Sequence, residues 1–340
     1  MKTLPAVSPT IGGELNGSLR AAGLIRTDST RFTPLTGGVS SEIYLVEDGR
    51  ERFVIKRALA KLRVQDDWFA DTSRSRTEEA FLRYVGERLP FAVPRILASD
   101  PTAGWFAMEY LGDGFVTWKS RLMRGEADPA DADRAGETLG LIHRASWGDP
   151  ATAVQFATDK NFHQLRVEPY LETTARRVPA MAPWLRAEAA RLQATKQALV
   201  HGDFSPKNLL VAPGRLVILD AEVAWFGDPA FDTAFALTHL LLKALLHREP
   251  CEPCLASARI FWSTYALAMG TRADSDLETR TTRLLLCLML ARVHGKSPVE
   301  YLTEPAQRKL VVDFTCALLP GPPMSLADTF AVWRKHLQHS

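Results

Sequence analysis

The sequence predicts an α+β chain in two parts, a small strand-rich lobe over residues 1–111 and a larger, mainly helical lobe over residues 112–340. Three observations carry that expectation. The first hundred residues hold short β-branched and aromatic runs separated by Gly-Gly and Asp-Gly, which is strand-and-hairpin texture. Beyond "EYLGDG" the apolar residues recur at helical spacing in long segments. At 340 residues the chain also exceeds what one small core accommodates.

Each element follows in order. "RFTPLTGGVSSEIYLVEDGRERFVIKRAL" contains three apolar runs, Phe32–Leu35, Ile43–Val46 and Phe53–Ile55. Gly37-Gly38 separates the first two, and Asp48-Gly49 marks a hairpin between the second pair. A polar connection with Trp68, Arg74 and Arg76 leads to "RTEEAFLRYVGERL", where Phe81, Leu82, Val85 and Leu89 keep helical spacing. Pro90 and Pro94 close that helix, and "RILAS" and "GWFAMEYL" supply two more strands, for an order β-β-β-α-β-β. In the second lobe "ADADRAGETLGLIHRAS" places Ala135, Leu139, Ile142 and His143 on one helical face, and Arg176–Lys196 is helical in pattern. Short apolar runs then flank "HGDFSPKN", and "FDTAFALTHLLLKALL" opens the closing series of helices.

Bulk properties exclude several classes. A formal charge of +2 gives no field for nucleic acid or an anionic membrane surface, so neither is expected as a partner. The longest apolar runs fall short of the roughly 18–20 residues that span a bilayer, and the first residues lack the apolar core of a signal peptide. A cytoplasmic protein is expected. Of the four cysteines, Cys251, Cys254, Cys287 and Cys316, the first two form "CEPC" four residues after His247. An incidental pair in a reducing compartment is preferred over a zinc site, because no second pair stands at zinc-ribbon distance.

The stretch "ALVHGDFSPKNLLV" concentrates charge in a tight loop between apolar strands, where chemistry is usually placed. Asp203 and Asn208 have the Asp-x-x-x-x-Asn spacing of a phosphoryl-transfer loop, with the carboxylate to orient the attacking hydroxyl and the amide oxygen to hold a metal. Magnesium takes oxygen ligands, and Asp220, after the next strand, supplies one. Glu222 shares its face if the segment is extended. Lys56 follows a strand, and Glu78, on the apolar face of the next helix, is preferred over Glu79 as its ion-pair partner. Gly37 and Gly38 either cradle phosphate through backbone N–H groups or form a plain hairpin turn.

The blocks "LVHGDFSPKNLLV" and "LVILDAEVAWFGDPAFDTA", with "GGVSSEIYLV", "VIKRAL", "EEAFLRYV", "PRIL", "FAMEYLGDG" and "LGLIHRAS", resemble the aminoglycoside phosphotransferase/choline kinase family of small-molecule kinases. The resemblance implies a protein-kinase-like bilobal fold and an ATP- and magnesium-dependent kinase acting on a small-molecule hydroxyl. It implies that Asp203 is catalytic and meets the substrate. It also implies metal ligation by Asn208 and Asp220, joined by Glu222, and nucleotide binding through Gly37, Gly38, Ser40, Ser41, Lys56, Glu78, Glu109 and Leu111. Asp232 braces the loop by that resemblance, or is an N-cap by local chemistry.

Three features are similar to a sugar-phosphorylating branch of the family: "VIKRALAKLRVQDDWFADTSRSR", Asp220-Ala221-Glu222, and "ARVHGKSPVEYL", in which Arg292 would grip substrate beside Glu222. Phe-Ser-Pro-Lys-Asn in the loop and Ala291 before Arg292 depart from that branch, so a related sugar or small alcohol is the expected acceptor. His201 is read as a loop-bracing residue and His143 as a packed, hydrogen-bonded one; Lys207 either touches phosphate or faces water. Rival readings are an aminoglycoside-type kinase, a nucleotide-binding pseudokinase acting as a sensor or scaffold, and a protein kinase. Against the last, the loop lacks the Arg of His-Arg-Asp.

Overall fold

The computed structural model describes residues 9–35, 41–58 and 73–338, in two compact units, Met1–Gly114 and Phe115–Ser340. In the first unit α1 (Pro9–Ala21) precedes β1 (Arg31–Pro34), β2 (Ser41–Asp48) and β3 (Glu51–Ala58). Then come α2 (Ser73–Arg88), β4 (Ile96–Asp100) and β5 (Trp105–Glu109). The strands form one antiparallel sheet in the order β1-β2-β3-β5-β4. Gly49 and Arg50 make the β2–β3 turn, and Gly49 has a φ of 62°, which glycine adopts without a steric penalty. Asp48 belongs to the strand. It accepts the N–H groups of Arg26 (2.7 Å) and Thr27 (3.1 Å) and the Thr30 hydroxyl (2.8 Å). The Thr27 hydroxyl and the Arg26 N–H are the main causes that hold its pKa down to about 2.

Strand periodicity decides which β3 residue meets which layer. Phe53 and Ile55 join Leu15, Leu19, Ile25, Val46 and Trp105 in one cluster, so α1 covers that face of the sheet. Lys56 alternates with Ile55 and meets Glu78 of α2. Helix α1 is absent from the sequence-based order. Its glycines at 12, 13 and 17 lower helix propensity, and the i, i+4 pair Leu15 and Leu19 is a thin apolar signature.

The second unit opens with β6 (Val116–Thr117), α3 (Trp118–Met123), α4 (Pro129–Ser146), α5 (Pro150–Gln155) and α6 (Asp159–Phe162). A π-helical segment, His163–Glu172, runs into α7 (Thr173–Arg177), and α8 (Ala182–Ala194) follows. Four short strands come next, β7 (Ala198–Val200), β8 (Leu209–Ala212), β9 (Arg215–Ile218) and β10 (Trp225–Gly227). The remaining helices are α9 (Ala230–Leu246), α10 (Glu252–Met269), α11 (Ser275–His294), α12 (Pro305–Leu318) and α13 (Leu326–Gln338). The expected single helix from Arg176 is broken at Val178, whose φ of −126° and ψ of 73° suit a residue before proline.

Helix α9 is the spine of this unit. Every residue from Ala230 to Leu245 is buried, as expected of a helix apolar on nearly all sides. It packs on α10 and α11, and Trp333 of α13 donates its Nε1–H to the Leu241 carbonyl at 3.1 Å. No described helix is long and apolar enough to cross a membrane. Helices α4 and α10 approach most closely at two glycines. A Cβ on Gly136 would lie 2.3 Å from the Phe261 carbonyl oxygen, and one on Gly140 would lie 2.8 Å from that of Tyr265.

Gly136→Ala should therefore push α4 off α10, at a cost of about 1–3 kcal/mol for overpacking. The check is a lowered urea midpoint with an unchanged slope. An unchanged midpoint would mean that the helix pair yields without strain.

Candidate active site

The loop from His201 to Asn208 joins a two-stranded ribbon, β7 with β10, to a three-stranded sheet in the order β6-β8-β9. Asp232, in the first turn of α9, holds its start. One carboxylate oxygen accepts the His201 N–H at 2.6 Å and the other the Gly202 N–H at 2.9 Å. Behind it the buried His143 places Nε2 3.3 Å from Asp232 and Nδ1 3.0 Å from the Tyr265 hydroxyl. Asp232 is therefore not the N-cap, a position held by Pro229; Asp228, just before it, accepts the Ala230 N–H at 3.0 Å. A carboxylate here also gains from the positive end of the helix dipole.

Gly202 has a φ of 77°, and a Cβ on it would lie 2.6 Å from the Val223 carbonyl oxygen, so only glycine fits. His201 closes the loop on itself. Its Nδ1 accepts the Asp203 N–H at 3.1 Å and its Nε2 donates to the Leu219 carbonyl at 3.0 Å, which selects the neutral tautomer. Burial pushes its pKa below the ordinary value, against the pull of Asp232 and Asp203. His201 braces the loop, as its sequence position suggested.

Asp203 is 6% exposed, and two cations converge on one of its oxygens, Lys207 at 2.9 Å and Arg166 at 3.1 Å. Burial alone would raise its pKa, but Lys207 and Arg166 outweigh that and hold the carboxyl below its usual range. Asp203 in turn raises the pKa of Lys207. Arg166 also donates to the Gly202 carbonyl. It lies in the π-helical segment, far from the loop in sequence, and no motif announced it.

Asn208 donates its amide N–H to the Asp203 carbonyl at 3.0 Å, and its own carbonyl accepts the Leu219 N–H at 2.9 Å. That fixes the amide so that the side-chain oxygen is the atom left to a metal. Asp220 follows with a φ of 65°, the one described non-glycine residue in the left-handed region. The Asp220–Glu222 segment is not an extended strand, yet its two carboxylates place oxygens within 4.8 Å of one another. Glu222 is 9% exposed, with its carbonyl accepting from Asn161 at 2.9 Å. The strained backbone at Asp220 marks a position worth a functional reading.

In the first unit Lys56 and Glu78 form a buried pair at 2.6 Å, while Glu79 pairs with Arg83 on the helix surface at 2.8 Å. Ser41 opens β2 and is buried. Glu109 ends β5, its N–H bonded to the Arg95 carbonyl at 2.9 Å, and Leu111 lies in the loop beyond. Gly37, Gly38, Ser40 and Trp68 lie outside the described residues.

A cavity of about 190 Å³ in the second unit has Asp203 and Lys207 on its wall, together with Lys119, His239, Lys243, Arg292 and Glu300. Arg292 donates to the Tyr170 hydroxyl (3.0 Å), the Ser297 carbonyl (2.6 Å) and the Ser297 hydroxyl (3.2 Å). Lys243 is 0% exposed, its ammonium 4.5 Å from the centre of the Tyr301 ring. Burial, with Lys119 next, brings its pKa down to about 7. His239, also desolvated, is held well below its ordinary value. Lys243 and His239 were missed, although a Lys and a His four residues apart in an otherwise apolar run were the signal. At "CEPC", the His247 Nε2 donates to the Leu122 carbonyl at 2.7 Å, and burial pushes the Cys254 thiol up to about 11.

Comparison with known proteins places this geometry. A family model described as "Phosphotransferase enzyme family" matches residues 31–252. Methylthioribose kinase of Pectobacterium atrosepticum is 28% identical over 265 residues, which cover 68% of this chain and 66% of that protein. Methylthioribose kinase of Yersinia enterocolitica is 29% identical over 221 residues, 57% of this chain and 55% of that protein. The chain thus spans just under two thirds, or less, of the length of these curated relatives.

Among solved structures, Plasmodium vivax ethanolamine kinase superposes with a TM-score of 0.57 at 14% identity, covering 93% of this chain and 91% of that one. A choline/ethanolamine kinase family protein from Mesorhizobium loti gives 0.53 at 16%, covering 96% and 99%. These likenesses show the protein-kinase-like fold of a small strand-rich part and a larger helical one.

Two expected outcomes follow from the site. Asp232→Ala leaves two buried N–H groups without an acceptor, at about 1–3 kcal/mol each, and should speed hydrogen exchange at His201 and Gly202; unchanged exchange would show that the loop is held elsewhere. Lys243 has a folded pKa near 7 against an ordinary 10.5, so above pH 7 the unfolded chain binds the extra proton and stability rises with pH across that window. Denaturant titrations of wild type and Lys243→Met should show that slope in the wild type and its loss in the variant.

Proposed function

We propose, from the premise that the chain belongs to the phosphotransferase enzyme family, that it transfers the terminal phosphoryl group of ATP, with magnesium, to a hydroxyl of a small sugar or small alcohol. The observation that carries the reading is Asp203, a buried carboxylate kept ionised by Lys207 and Arg166 at the wall of a small cavity.

A phosphoryl-transfer site has little covalent chemistry to perform, and positioning with electrostatic stabilisation accounts for most of its effect. Asp203 accepts a hydrogen bond from the substrate hydroxyl and aims its lone pair. Because its pKa is depressed, it orients the hydroxyl first and takes the proton only as the new P–O bond forms. Asn208, Asp220 and Glu222 present oxygen donors, the set magnesium prefers, and we assign the metal to them. Magnesium, when bound, neutralises the phosphate oxygens.

Lys56, held by Glu78, is assigned to the nucleotide phosphates, and Gly37, Gly38, Ser40 and Ser41 are assigned to cradle them. The N–H of Glu109 is already bonded within the sheet, so a donor to the base falls to Leu111. Arg292, on the cavity wall, is assigned to the acceptor substrate, as is Glu222.

Coupled ADP release tests the reading. Asp203→Asn should lower turnover by about 10²–10⁴-fold while leaving the melting temperature near the wild-type value. Wild-type turnover in that variant would remove the mechanism. Asp220→Ala should abolish the rise in melting temperature produced by Mg-ATP, and a persisting rise would displace the metal assignment.

A further inference from the structure

We propose that the acceptor alcohol carries an anionic group, a carboxylate or a phosphate, seated between Lys243 and Arg292 at the opposite end of the cavity from its reacting hydroxyl. The proposal rests on the phosphotransfer reading above and concerns the substrate class of the same site.

The charges on the cavity wall do not balance. Lys207 is paired with Asp203, and Lys119 with Glu300. Arg292 is 8% exposed and donates to neutral oxygens of Tyr170 and Ser297, while its Nε has no hydrogen-bond partner among the described residues. Lys243 is fully buried, and among the described residues its ammonium meets an aromatic face and no carboxylate within ion-pair distance. Among the described residues these two cations line the cavity without an ion pair of their own, because Glu300, whose charge acts on both, is paired with Lys119. A buried ammonium without an ion pair is costly, and burial, with Lys119 next, brings the pKa of this one down to about 7. An anionic ligand supplies a counter-charge and restores the ammonium.

The placement follows from one helix. Asp232, Phe235, His239 and Lys243 succeed one another at three- and four-residue steps along one face of α9. At 1.5 Å per residue, Lys243 lies about 16 Å along the axis from the loop brace Asp232. Asp203 and Lys243 nevertheless line the same cavity of about 190 Å³, so a small molecule bridges them. His239, held neutral by burial and by Arg292, Lys243, Lys207 and Lys119, adds bulk and polarity without an opposing charge. Polycationic and quaternary ammonium acceptors meet like charge here, which works against them.

The test compares matched acceptors in wild type and Lys243→Met. The probes are glycerate and glycerol 1-phosphate against glycerol, gluconate against glucose, and ethanolamine. Methionine keeps an unbranched side chain one atom shorter than lysine and removes a buried charge, so the variant should melt at or above the wild-type temperature. Without nucleotide, the anionic probes should raise the melting temperature of the wild type and not of the variant. In ADP release, KM for the preferred anionic acceptor should rise at least about tenfold in the variant, with less than about twofold change for its neutral partner. Glycerate against glycerol 1-phosphate separates carboxylate from phosphate.

Preference for glycerol, glucose or ethanolamine would overturn the proposal. So would an equal loss on acid and neutral partners, since the cations would then serve the phosphoryl group in transit. Anion binding that depends on Lys243, without ADP release from any acceptor, would uphold the anion site and sink the phosphotransfer reading. Asp203-dependent turnover of neutral alcohols alone would do the reverse.

Discussion

One buried carboxylate holds the site together. Asp232 takes two successive backbone N–H groups, from His201 and Gly202, and so fixes where the loop leaves β7. The left-handed Gly202 turns the chain against Val223, and the His201 ring then ties the Asp203 N–H to the Leu219 carbonyl. Asn208 closes the far end on the Asp203 carbonyl. These bonds are buried, where losing a partner costs more than making one gains, so the loop has one arrangement in place of several. His143 and Tyr265 extend the same network into α4 and α10, whose close glycine contacts keep them in reach.

The electrostatics are arranged around that rigid frame. Asp203 is kept ionised by cations from two directions, Lys207 within the loop and Arg166 from the π-helical segment. The same segment carries Tyr170, whose hydroxyl accepts from Arg292. Widened helical turns are frequent at functional sites, and here one such segment supplies one partner to the carboxylate and another to the cavity cation. The cavity is therefore uneven in charge, with Asp203 paired to Lys207, Glu300 paired to Lys119, and no ion pair to Lys243 or Arg292 among the described residues.

What could be read from the sequence was whatever local spacing encodes. The loop of His201, Asp203 and Asn208 is compact in sequence, and strand and helix periods brought Lys56 to Glu78 over Glu79. Arg166 and Tyr170 were out of reach because their segment has no apolar period tied to the loop, and Pro169 within it reads as a breaker. Lys243 and His239 were visible as polar intruders in an apolar helix, but the cavity they line depends on how α9 packs against its neighbours. Asp220 and Glu222 do bring carboxylate oxygens within 4.8 Å of one another, but across a bend at the φ of 65° of Asp220 and not along an extended strand. Helix α1 was hidden by its glycines.

Because Asp232, His239 and Lys243 ride on one buried α9, their mutual orientation is set by helical phase. Inserting or deleting a single residue between 232 and 243 would rotate everything beyond it by about 100° and swing the cavity cation into the apolar packing around α10 and α11. The turn after the helix, with Glu249 and Pro250 exposed, has no such register to keep, whereas residues 221–229 before it are buried. Variation in chain length is thus compatible with that exposed turn and incompatible with the rod itself, so diversification of the acceptor pocket along α9 is confined to exchanging side chains at fixed positions.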